Sequence, residues 1–457
     1  MNTPICDFVR EYAARETLRL HMPGHKGAPL LGFEALDITE IAGADSLYEA
    51  SGIIRESEKN ASSLFGSAAT LYSTEGSSHC IRAMLCLTLQ HAKRAGQKPL
   101  ILAARNVHKT FVGAVGLLDI DVEWLMPTQS TSYLACPIDL DALDKELYRL
   151  SPTAFYLTSP DYLGNTADLA SIADICHCHG VLLLIDNAHG AYLKFLPTSR
   201  HPLDLGADLC CDSAHKTLPA LTGAAYLHLS HTAPAWMKDA AKDALSLFGS
   251  TSPSYLILQS LDATNAYLAN GYAEKLANFA TEIEKLKQKL ITDGFTLLGN
   301  EPLKLTLSTK PIGYTGFDIA ERLNKSGIVC EFADPDFVVL MLSCELGTKS
   351  LERIDKALTA IPWQVPIRDL PPMPTLPERV LSVREALFSE RESVLVTEAT
   401  GRILSSLTLS CPPAVPIAVC GERLHARAIE LFTYYGIDRV EVVKESNGRS
   451  VDEKEPI

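Results

Sequence analysis

The chain has 457 residues, of which 47% are hydrophobic and 21% charged, and its formal net charge is −14. That length supports several structural units around a large core. The acidic balance excludes a nucleic-acid backbone as the default partner, since phosphates ask for a basic face, and it suits a small cationic ligand while also serving solubility.

Residues 1–19 read as an N-terminal arm, charged throughout and without the apolar core of a signal peptide. No window approaches the ~18 uninterrupted apolar residues of a membrane span. From about residue 60 the chain alternates apolar runs with helical periodicity. The runs at 100–104, 122–125, 154–158, 181–185, 209–211 and 224–229 predict strands, and 139–150 and 168–179 predict helices. This alternation predicts an α/β fold, an open and mainly parallel sheet with helices on both faces, whose ligand binds at the carboxyl ends of the strands. One long helical stretch is expected over 254–292, stopping at Asp293-Gly294 and leading into a smaller α/β unit at 293–370. A proline cluster at 371–377 marks a boundary before a last unit, 371–457, whose tail from Lys444 is polar. The units thus divide as 1–19, 20–292, 293–370 and 371–457. The twelve cysteines, several in apolar runs such as Leu209-Cys210-Cys211, do not form a disulfide framework and suit reduced thiols in the cytoplasm.

The chemistry concentrates at predicted strand ends. The run 181–185 ends in Asp186-Asn187-Ala188-His189-Gly190, and 209–211 is followed by Asp212-Ser213-Ala214-His215-Lys216-Thr217. An amine and a carboxylate converging at one sheet edge are what pyridoxal 5'-phosphate needs: Lys216 for its aldehyde and Asp186 for its ring nitrogen. Desolvation and a cationic neighbour would leave Lys216 a nucleophile, and Asp186 would keep the ring nitrogen protonated. Ala188 and His189 would lie beside the ring. Thr74-Glu75-Gly76-Ser77-Ser78 precedes a helical pattern, so Gly76, Ser77 and Ser78 offer a tight turn, hydroxyls and unpaired amides to a phosphate, which Ser213 and His215 can also reach. Alone, a serine there is a helix cap and a strand-end aspartate a cap or ion-pair member. His108, in Arg105-Asn106-Val107-His108-Lys109, is placed to stack on the ring or to cap a helix. Cys176-His177-Cys178-His179 has adjacent positions that point apart, so no metal site is expected.

Together these residues resemble the Orn/Lys/Arg decarboxylase family. The resemblance rests on His21-Met22-Pro23-Gly24-His25-Lys26-Gly27, on Gly43-Ala44-Asp45-Ser46-Leu47, on the Asn106–Lys109, Asp186–Gly190 and Ser213–Thr217 motifs, and on Ser250-Thr251-Ser252-Pro253-Ser254-Tyr255. In the last unit Gly401-Arg402-Ile403, Pro412-Pro413 and Gly421-Glu422 echo the family's final domain. The resemblance implies a fold type I pyridoxal phosphate enzyme with a seven-stranded sheet, in the shorter form that lacks a receiver-like N-terminal domain. It also implies a homodimer or assembly of dimers, and decarboxylation of lysine, arginine or ornithine to a polyamine-pathway amine. It gives Lys216 the covalent link, Asp186 the ring nitrogen, His108 the ring face, and Ser77, Ser78, Ser213 and His215 the phosphate; His215 or Lys216 would return the proton. Glu75, Asp161, Ala214, Cys411 and Ala414 depart from the family pattern. The sheet itself does not separate a decarboxylase from an aminotransferase or lyase of the same fold, and a cofactor-binding homologue of low turnover is a third reading.

Overall fold

A computed structural model describes residues 1–127, 135–372, 375–411 and 415–445. After helix α1 (Pro4–Ala14) and α2 (Ile53–Phe65), the main unit runs β1 (Ala69–Ser73), α3 (Ser77–Arg94), β2 (Leu100–Ala104), α4 (Lys109–Leu118) and β3 (Asp121–Leu125). It continues with α5 (Leu140–Leu150), β4 (Ala154–Thr158), α6 (Leu169–Cys178), β5 (Leu182–Asp186), β6 (Leu209–Asp212), α7 (Ala214–Thr217) and β7 (Ala225–Leu229). These strands form the expected seven-stranded sheet in the order β1-β7-β6-β5-β4-β2-β3. Only β7 runs against the rest, pairing antiparallel with both β1 and β6.

Burial on both faces explains the unbroken apolar runs: every residue of β5 and β6 is buried. One face packs against α3, α4 and α8 (Trp236–Ser246), the other against α5 and α6. Strand β1, absent from the sequence reading, mixes Thr70, Tyr72 and Ser73 with apolar residues. Its polar groups are satisfied inside, for example Thr70 to His228 Nδ1 at 2.8 Å.

The single helix expected over 254–292 is instead two, α9 (Tyr255–Tyr267) and α10 (Ala273–Thr292). Between them Asn270 (φ −117°, ψ 73°) and Gly271 (φ +79°) leave the helical region, and the glycine makes that left-handed step inexpensive. A second sheet follows, with β8 (Thr296–Leu298), β9 (Lys304–Ser308), β10 (Phe332–Ala333) and β11 (Phe337–Met341) in the antiparallel order β10-β11-β9-β8. Helices α11 (Gly316–Lys325) and α12 (Thr348–Thr359) accompany it. Beyond the prolines lie α13 (Val383–Phe388), β12 (Arg391–Leu395), β13 (Thr408–Cys411), β14 (Val415–Val419), α14 (Ala426–Tyr434) and β15 (Arg439–Val443). Pro412, Pro413 and Ala414, the centre of the proline cluster at 373–374 and the tail from 446 lie outside the described residues. Among the described residues no helix is long and apolar enough to cross a membrane.

The C-terminal elements dock on α4 and on the end of β2. Arg384 donates to the Gly116 and Leu117 carbonyls at 3.1 Å, and Arg379 to Val122 O at 2.9 Å. Arg105, next after β2, makes a two-pronged pair with Glu422 at 2.7 Å on each arm, and both side chains are no more than 5% exposed.

Candidate active site

The carboxyl ends of β1, β2, β4, β5 and β6 face one way, and the start of the reversed β7 meets them. A cavity of about 400 Å³ opens there. All ten residues predicted to hold the cofactor line it: Gly76, Ser77, Ser78, His108, Asp186, Ala188, His189, Ser213, His215 and Lys216.

The phosphate side is the start of α3. Gly76 sits at φ +74° as the residue before the helix, where no side chain caps the first amides. Its amide donates to Gly223 O at 2.8 Å, and a Cβ on Gly223 would stand 2.8 Å from Thr74 O, so this close approach needs the missing side chain. Ser213 Oγ lies 2.8 Å from Ser77 Oγ, and Thr110 Oγ1 lies 3.0 Å from Ser78 Oγ. Four hydroxyls and uncapped amides therefore gather at one helix start, a donor set that fits a phosphate. His215 turns Nδ1 to Ala224 O at 2.9 Å, leaving Nε2 free of that bond. Glu75 turns its carboxylate aside to accept from the Ser250 amide at 2.6 Å.

The ring side is Asp186, the last residue of β5 and 2% exposed. Its oxygens take the Ala188 amide at 3.2 Å and the Tyr156 hydroxyl at 3.4 Å. The loop after it is fixed from below. Asn187 Nδ2 donates to Asp212 Oδ1 at 2.7 Å, while His201 and His228 both hold Asp212 Oδ2 at 3.1 Å. Those two imidazoles hold the Asp212 carboxyl well below the usual range despite its burial. Of the two roles open to it in the sequence, His108 takes the helix cap. It caps α4, accepting from the Thr110 amide at 3.2 Å, and it also faces the cavity.

Lys216 sits in the one-turn helix α7 rather than at a bare strand end. It is exposed within the cavity, and partial desolvation by the surrounding walls lowers its pKa, with Asp186 and Glu331 opposing. Burial likewise lowers His108, and it pushes the Asp161 carboxyl up to about 6 against hydrogen bonds from Asn165. Two cavity residues carry buried polar atoms without a hydrogen-bond partner among the described residues, Asn106 Oδ1 and Thr158 Oγ1, and neither was singled out from the sequence. Lys304 was also missed. It arrives from β9, and its Nζ is 3.2 Å from His189 Nδ1. The Cys176–His179 run diverges as expected: His177 turns to Asp208 at 3.1 Å and His179 to Asp144 at 2.8 Å.

Known proteins share this arrangement of chain. The family profile described as Orn/Lys/Arg decarboxylase, major domain, matches residues 3–297. An uncharacterized protein, YaaO of Bacillus subtilis (strain 168), is 31% identical over 94% of this chain and 93% of its own. An arginine decarboxylase of the same organism is 29% identical over 92% of this chain and 91% of its own. Among solved structures, lysine decarboxylase A from Pseudomonas aeruginosa superposes with a TM-score of 0.80. It is 18% identical, covering 96% of this chain and 80% of that one.

Proposed function

Because this chain belongs to the Orn/Lys/Arg decarboxylase family, we propose that its cavity releases the α-carboxylate of a basic L-amino acid as CO2, with arginine the foremost substrate. The family's members are amino-acid decarboxylases, so the chain is an enzyme, and its cofactor is pyridoxal 5'-phosphate. The observation that carries the reading is the meeting of Lys216, Asp186 and the hydroxyl-lined start of α3 around one cavity. When bound, the cofactor supplies an electron sink for the pair left as the carbon–carboxylate bond breaks.

The protein's own groups do the rest. Ser77, Ser78, Ser213 and the first amides of α3 hold the phosphate. Lys216 would hold the cofactor aldehyde through its amine. Asp186 would pair with the ring nitrogen and favour its protonated form, and His108 would face the ring. Lys216 or His215 returns one proton to the α-carbon, which replaces the lost CO2 and leaves the amine of the polyamine pathway.

The guanidinium needs a carboxylate near the mouth. Glu331 is exposed, accepts from the cavity-lining Tyr162 hydroxyl at 3.1 Å and lies close enough to act on Lys216. Purified protein loaded with pyridoxal phosphate is offered arginine, lysine and ornithine, and CO2 and amine are measured. Arginine gives agmatine, and Glu331→Gln raises its KM by roughly 10–100-fold, the value of one charge-assisted contact. Keto acid in place of CO2, or no turnover of any of the three, overturns the reading.

The chain also works as a homodimer or an assembly of dimers. In support, the segment after α1 exposes Leu18, Leu20, Leu30 and Leu31, each more than 70% exposed, a denser apolar display than a free surface carries. Sedimentation at twice the 49.7 kDa chain mass is expected, and a monomer at working concentration counts against it. The eleven thiols free of disulfides among the described side chains support a reducing cytoplasm.

A further inference from the structure

Lys304 and Glu301 sit together at the start of the second sheet, beside the cavity but outside every motif read from the sequence. Both side chains are 1% exposed, and they form an ion pair at 2.9 Å. An ammonium has three protons and no lone pair. Lys304 Nζ finds two hydrogen-bond acceptors, Asp161 O at 3.2 Å and His189 Nδ1 at 3.2 Å, with the charge of Glu301 Oε2 2.9 Å away. His189 Nε2 in turn lies 3.0 Å from Lys216 Nζ.

Counting protons along this line fixes the state of each group. His189 is buried, with Lys216, Lys304, His108 and His215 as its ionisable neighbours and the Tyr162 ring edge-on at 5.3 Å. Burial first holds its pKa well below the usual histidine range, and the Lys304 ammonium 3.2 Å from Nδ1 leaves no proton on that nitrogen, so the ring carries one. Nδ1 accepts from Lys304, so that proton is on Nε2. An Nε2–H can bond to Lys216 only if the Lys216 nitrogen offers a lone pair. A protonated Lys216 would set donor against donor at 3.0 Å. The carboxylates that face Lys216, Asp186 and Glu331, would otherwise favour its charged form.

We propose that Lys304, clamped by Glu301, is a positioning residue that fixes the His189 proton on Nε2 and thereby holds the Lys216 amine neutral and nucleophilic. The inference deepens the decarboxylase reading and rests on it only for the use made of that amine. Lys304 reaches the chemistry through His189, which explains how a residue 88 positions after Lys216, on a different sheet, bears on the same nitrogen.

The test reads Lys216 directly, in the full chain stripped of pyridoxal phosphate. Competitive acetylation with acetic anhydride across pH, resolved by peptide mass spectrometry, gives the midpoint of each lysine, with exposed Lys238 as reference. In the unaltered protein Lys216 reacts as a neutral amine where Lys238 is still protonated. The charge-balanced replacement Glu301→Gln with Lys304→Met raises the Lys216 midpoint by about one pH unit, a tenfold loss of neutral amine. With His189→Phe in place, the same replacement moves the midpoint little. An unchanged midpoint overturns the proposal, as does an equal rise without His189, which would be a plain charge effect. Should those variants not fold, nitrogen-15 NMR of histidine-labelled unaltered chain decides: a His189 proton found on Nδ1 overturns it. Acetylation as expected without CO2 release from any basic amino acid would count against the decarboxylase reading alone.

Discussion

Lys216→Ala lowers CO2 release from the basic amino acid by at least about 10²–10⁴-fold, the share that a single positioned proton-transfer group supplies, before its anchoring role is counted. The same change removes the absorbance near ~420 nm expected of the enzyme–cofactor link. A spectrum that survives the substitution would show that another group holds the cofactor. The fold should tolerate the change, because the Lys216 side chain projects into the cavity and its only hydrogen bond among the described residues is to His189. Far-UV circular dichroism of the variant is therefore unchanged. Loss of both helix signal and activity would reassign Lys216 to structure.

Glu422→Ala has the largest expected effect on stability. It strands the Arg105 guanidinium in a site that is 5% exposed, where the Trp124 ring, 4.8 Å away, remains as a cation partner. It also frees the Val419 amide that Glu422 accepts at 2.8 Å. Removing one member of a buried pair costs about 3–5 kcal/mol, while replacing both by apolar side chains of like volume is often nearly neutral. Denaturant unfolding should therefore place Glu422→Ala well below Arg105→Met with Glu422→Leu. Equal stability of the two would mean that the pair sits in a wetter environment than its burial implies.

The catalytic edge was legible because strand ends in a doubly wound sheet face one way, so residues following apolar runs converge whatever their separation in sequence. That logic brought Asp186 and Lys216 together, and the helix-start logic added Gly76, Ser77 and Ser78. It could not reach Lys304, since Lys304-Leu305-Thr306-Leu307 reads as an edge strand with a solvated lysine, and a lysine is rarely buried unless paired. Its partner Glu301 stands before a proline in a turn, where no periodicity marks it. Asn106 and Thr158 were equally silent, because an unpartnered polar atom is a property of packing. The interruption at Asn270-Gly271 had a local signal, the Asn-Gly pair, which the strong helical periodicity on both sides masked. Strand β1 went unread because its polar residues find partners only in the folded chain: Thr70 in His228 of β7, Tyr72 in Ser57 and Asn265, and Ser73 in His79.

The docking of the C-terminal elements on α4 bears on how the chain can be divided. His108 begins that helix, and Asn106 follows Arg105 directly, so this wall of the cavity is held from behind by Arg384 and Glu422, neither of which lines it. The last eighty residues are in this sense a keystone rather than a module. A shortened descendant could retain every residue that touches substrate and still lose the pocket, unless something else came to bear on the same helix.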